Sequence, residues 1–159
     1  MWLALLASLL ALAVPVRGAS HAAPHAVRAV IVSGDRQTVR SYVATGAPAY
    51  LAAFPKPLVV RIAGPGTPEG HPRHVFFSCE GCVFAPAEQH ENYDLVDRAK
   101  DDNGKDLPGA YDTRPMDGLF VLYVAVQSSA VAGTYRVRAY PVPNKGEKAV
   151  ATWFTLTTR

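Results

Sequence analysis

Residues 135–140 alternate strictly, with Tyr135, Val137 and Ala139 on one side and Arg136, Arg138 and Tyr140 on the other. Successive side chains of a β-strand point to opposite faces, so an extended strand buries the first three together and leaves the guanidinium groups in water. Residues 151–157 repeat the rhythm, with Thr152, Phe154 and Leu156 on one face and Trp153 on the opposite one. No long helical apolar pattern occurs beyond the first twenty residues, so the period of two predicts an all-β fold whose layers stack apolar face on apolar face.

The rest of the chain supplies further strands between turn signals. Residues 27–32, 38–44 and 50–54 are expected strands, and residues 58–62 (LVVRI) form a β-branched run with Pro57 before it and Gly64-Pro65-Gly66 after it. Residues 64–72 read as a loop, being rich in Pro and Gly. Residues 74–79 and 82–85 flank Glu80-Gly81, where Gly suits a two-residue hairpin turn. Residues 86–108 are charged and thin in apolar side chains; within them 93–99 reads either as an edge strand or as a short helix capped by Asn92, and 101–104 (DDNG) as a turn. Residues 119–127 (LFVLYVAVQ) are continuously apolar, as in a strand buried on both faces or one that shows an apolar row, Leu119, Val121 and Tyr123, outward. The expectation is one domain, residues 21–159, forming an antiparallel β-sandwich of about seven to nine strands.

Residues 2–16 are almost wholly apolar, with Pro15 near their end, and the small residues of Arg17-Gly18-Ala19-Ser20 follow. An apolar core before small residues is the layout of a signal peptide, with cleavage after Gly18, Ser20 or Ala22. The run is shorter than the roughly 20 residues a membrane span requires. The expected location is therefore periplasmic or secreted, with no membrane span after cleavage. The formal charge is +3, and ten of the thirteen acidic residues lie between Glu80 and Asp117. No Lys/Arg stripe is present to neutralise phosphates, so no nucleic-acid partner is expected.

The stretch Ala132-Gly133-Thr134-Tyr135-Arg136-Val137 resembles the Gly-x-Tyr approach to the penultimate strand of bacterial immunoglobulin-like and fibronectin type III-like domains. The resemblance implies an immunoglobulin-like sandwich in which Tyr135 forms the tyrosine corner, its hydroxyl bonding nearby backbone. The inter-sheet Cys…Trp…Cys set of antibody domains is absent. A weaker resemblance, carried by the same stretch and by a mature chain that begins at His21, is to periplasmic copper-resistance proteins of the CopC type. That family follows this strand with an Asp-x-His pair, where this chain has Pro143-Asn144-Lys145-Gly146-Glu147.

Cys79 and Cys82 are expected to pair as a disulfide in an oxidising compartment, with a metal-ligand pair or a redox dithiol as the alternatives. Metal readings draw on histidine. His71, His74 and His90 lie near the cysteines in sequence, and two thiolates with two imidazoles suit zinc. Cleavage after Ser20 makes His21 the terminus, whose amine and ring chelate copper with His25 nearby; cleavage after Gly18 instead places His21 third, a square-planar copper arrangement. Against calcium, Ala99 and Ala110 stand where an EF-hand-like loop around Asp101 and Asn103 needs its first and last ligands. No Gly-x-Ser-x-Gly, His-Glu-x-x-His or phosphate loop occurs. The expected function is a binding or structural module without catalytic activity, with metal binding as the alternative. Its contact surface joins Leu119, Val121 and Tyr123 to the Arg136, Arg138 and Tyr140 face, for an unidentified protein or surface ligand, since Arg and Tyr favour interfaces.

Overall fold

The computed structural model describes residues 26–43, 50–64, 74–86, 96–128 and 130–159. The segment expected to be a signal peptide and His21, His25, His71 and His90 lie outside the described residues. Fourteen strands and no helix occur among those described, arranged in three sheets. One sheet has the order β10 (Leu119–Leu122), β5 (Leu58–Ala63), β1 (Ala26–Ser33), β13 (Lys148–Val150). A second has the order β3 (Tyr42–Val43), β4 (Tyr50–Ala53), β11 (Val124–Ser128), β7 (Val83–Pro86). The third runs β2 (Gln37–Val39), β14 (Thr152–Thr158), β12 (Gly133–Pro141), β6 (Val75–Glu80), β9 (Asp106–Thr113), β8 (Val96–Lys100). Neighbours are antiparallel except β1 with β13 and β2 with β14. The protein is an all-β sandwich, as the two-residue rhythm predicts.

Two expected strands are each shared between two sheets, which adds to the number of short segments. The apolar run 119–127 divides at Tyr123: β10 pairs with β5, whereas β11 pairs with β4 and β7. Phe120, Leu122, Val124 and Val126 stay buried on alternate positions through the switch, so one run serves two sheets without losing its inward face. The expected strand 38–44 likewise divides into β2, beside β14, and β3, beside β4. The hairpin expected at Glu80-Gly81 is not formed. β6 pairs with β12 and β9, and β7 pairs with β11, so Glu80-Gly81 carries the chain from one sheet to another. Gly81, at φ 74°, still provides the left-handed turn residue.

In the region that reads poorly from sequence, β8 is an edge strand over 96–100 rather than a helix, and 101–104 is a turn closed by Gly104 N–H donating to Asp101 O at 2.9 Å. β9 has no clear sequence signal. Asp106, Leu107, Pro108 and Gly109 break the alternation, while Tyr111 and Thr113 turn into the core.

One contiguous core draws on all three sheets, with Phe77, Phe154, Leu58, Leu122, Leu156 and Val137 wholly buried at its centre. The Phe77 and Phe154 rings lie 6.3 Å apart at a tilt of 33°. Burying each such side chain stabilises the fold by about 1.5–3 kcal/mol. At the switch from β1 to β2, Gly34 adopts φ 91°, and a Cβ there would strike the Pro57 carbonyl. The buried Gln37 amide closes this corner: Nε2 donates to Gly34 O and Lys56 O, both at 2.8 Å, and Oε1 accepts from Lys56 N at 3.0 Å. Asp35 Oδ1 accepts from Thr155 N at 2.8 Å, tying the corner to β14.

Candidate functional site

The outer face of the six-stranded sheet is built in ranks set by strand register. Thr155, Arg136 and Glu80 form one rank across β14, β12 and β6; Trp153, Arg138, Ser78 and Ala110 form the next; Tyr140, Phe76, Asp112 and Asp97 the last. Tyr135, Val137 and Ala139 occupy the opposite, buried side of β12, which fixes the two arginines outward. The Arg136 guanidinium lies 4.3 Å from the Trp153 ring centre, and that of Arg138 lies 4.6 Å from the ring centre of Tyr140. A cation over an aromatic face is attracted by the ring quadrupole. Arg136 stands in register with Glu80 yet leans away from it onto Trp153. Neither arginine has a carboxylate partner within salt-bridge distance among the described residues.

Carboxylates at the other end of the same face are engaged. Lys100 Nζ contacts Asp106 Oδ1 at 2.9 Å, and Arg114 Nη2 lies 3.5 Å from Asp97 Oδ2. The Lys100 hydrogen bond holds the Asp106 carboxyl below the usual range. His74 Nδ1 and Asp112 Oδ2 share a hydrogen bond of 2.8 Å, while Asp112 Oδ1 is buried without a partner among the described residues. Burial pushes the Asp112 carboxyl above its ordinary value, against the opposing pull of His74.

Leu119 and Val121 are half-buried on β10 of the β10–β5–β1–β13 sheet, and Tyr123 lies in the link to β11. Phe120 and Leu122 turn into the core from β10 as Val137 and Ala139 do from β12. Leu119 and Val121 therefore face away from the core on one sheet, and Arg136 and Arg138 face away from it on another. The two rows therefore lie on different sheets.

Cys79 and Cys82 are joined as a disulfide with Cα atoms 5.6 Å apart, and both pack against the core where β6 hands over to β7. The ring closed is small and removes little chain entropy, so the bond acts locally, on the step between sheets. An open cleft of about 570 Å³ beside it is lined by Cys82, Ser128, Gly133 and Tyr135, among others, without a charged side chain among the described residues of its wall. Tyr135 is buried with its ring against Gly133: a Cβ there would lie 2.7 Å from the hydroxyl, so the Gly-x-Tyr spacing is a packing requirement. Among the described residues no three His, Cys, Asp or Glu side chains gather as metal ligands, and His74 is engaged with Asp112.

Two members of the face are absent from the set expected from sequence. Trp153 is legible as outward-pointing, but its place beside Arg138 depends on the register of β12 with β14, which alternation does not set. Phe76 joins the face only because β6, rather than a strand nearer in sequence, lies against β12. Comparison of the chain with protein-family models, curated proteins and solved structures finds no match.

Proposed function

We propose that this chain is an exported immunoglobulin-like module without catalytic activity that binds a partner through the outer face of β12 and β14. The observation that carries this reading is the pair of guanidinium groups, Arg136 and Arg138, held over Trp153 and Tyr140 with no carboxylate of the described residues within salt-bridge distance. Arginine and aromatic side chains are the types most often found at the energetic centres of protein interfaces. An arginine already stacked on a ring loses little side-chain freedom when a partner arrives. Export is supported by the apolar leader followed by Arg17-Gly18-Ala19-Ser20 and by the cystine, a bond that persists in oxidising compartments.

The test is a photo-crosslinking residue substituted for Thr155, between the two arginines and the sheet edge, in the full chain expressed in a host that exports it. Crosslinks at position 155 that vanish when Arg136 and Arg138 are both Gln, with none from a control at Lys145, are expected. Crosslinking that is equal at the two positions would remove the face from consideration. Intact mass of the exported chain, expected to correspond to a start at Ala19, His21 or Ala23 and to rise by two hydrogens on reduction, checks the compartment.

A further inference from the structure

We infer that the β12–β14 face receives an extended acidic protein segment bearing carboxylates at every second residue. The inference rests on the contact-face reading above and gives it a partner chemistry. Arg136 and Arg138 are two residues apart on one strand, so their Cα atoms are about 6.8 Å apart. Their side chains lean the same way. Arg136 reaches Trp153, which is in register with Arg138, and Arg138 reaches Tyr140, so each guanidinium moves one rank toward the end of β12. A shared lean preserves the two-residue repeat, and that repeat is also the one at which an extended polypeptide presents side chains on one side.

The donors are arranged for carboxylate. A guanidinium held over a ring keeps its N–H groups at its edge, where a planar fork meets a carboxylate through two parallel hydrogen bonds. Glu80, the carboxylate closest in register, does not compete, because Arg136 has turned from it. Thr134 and Thr155 flank the arginines with hydroxyl groups that can accept or donate to a second backbone. The other end of the face selects the position. At that end Asp112 and Asp97 already engage His74 and Arg114, so these cations offer an acidic segment less than the arginine end does.

The full chain is titrated by calorimetry with a peptide alternating Glu and Thr, with an isomer of the same composition in which the glutamates are adjacent in pairs, and with the Gln-Thr analogue. Polyglucuronate serves as an anionic glycan of different repeat. The indole N–H resonance of Trp153 is followed in each titration. The alternating peptide is expected to bind at least about tenfold more tightly than its isomer, to weaken with added salt, and to shift the Trp153 resonance. R136Q/R138Q should abolish this binding, and R136K/R138K should retain only part of it, since lysine cannot form the two-point contact. Thermal melts of both variants check that they fold. Equal affinity for the two isomers, or tighter binding of polyglucuronate with Trp153 shifting, overturns the alternating-carboxylate inference and leaves the contact-face reading standing. No response of Trp153 to any probe, together with no crosslinking at position 155, overturns both.

Discussion

The two ends of the six-stranded sheet both carry charged side chains and dispose of them differently. At the β8–β9 end, Asp106, Asp97 and Asp112 meet Lys100, Arg114 and His74. At the β12–β14 end, Arg136 and Arg138 lie on aromatic rings instead. An ion pair satisfies both partners and leaves little for a third group. A cation–π contact fixes the cation while leaving its hydrogen-bond donors open. One end is therefore chemically closed and the other open, although they share β6 and one core.

That shared core gives the largest way to break the comparison. Phe77 lies on β6, between the two ends, and Phe77→Ala should cost about 3–5 kcal/mol of stability. Urea unfolding followed at Trp153 for one end and at the His74 ring resonances for the other should show a single coincident transition. Two separate transitions would mean that the ends fold independently. A smaller effect sharpens the contrast at the closed end. The Asp112 carboxyl has a raised pKa in the fold, so its contribution to stability is fully present below the unfolded value and is lost as pH rises through the folded one. Asp112→Asn cannot ionise. The stability of the natural chain relative to this variant should fall as pH rises from about 3.9, the ordinary aspartate value. The opposite slope, in unfolding midpoints measured across that range, would mean that His74 outweighs burial. The smallest effect belongs to Lys100→Ala. The pair it breaks is exposed, so the unfolding midpoint should stay unchanged while the Asp106 carboxyl, followed by NMR titration, moves up toward its ordinary range.

How much of this was readable beforehand follows from where the physics is local. The inward face of β12 and the phase of Trp153 are set by alternation within a few residues, and the sequence displays both. The cystine is equally local, since a separation of three residues leaves few alternatives once the compartment oxidises thiols. What alternation cannot express is which sheet a strand joins. The run 119–127 looks continuous, because an inward side chain remains inward when the chain passes from one sheet to the next, and Glu80-Gly81 looks like a hairpin, because a turn residue is the same whether the next strand pairs back or joins another sheet. The expected contact surface inherited that ambiguity, combining rows that turn out to lie on different sheets. β9 escaped notice for another reason. Its backbone is held by β6 and β8 through hydrogen bonds that require no apolar side chain, so its pairing leaves almost no mark on the residue pattern.

The parallel pairing of β2 with β14 has a mechanical corollary. Gln37, Thr38 and Val39 run in the same direction as Leu156, Thr157 and Thr158. Tension between the two termini therefore drags these strands past each other along their common axis. All the bonds joining them are strained together, whereas an antiparallel hairpin pulled at its open end yields rung by rung. The Asp35 carboxylate on the Thr155 amide anchors the same seam, so the shear is resisted there by a side chain as well as by the backbone.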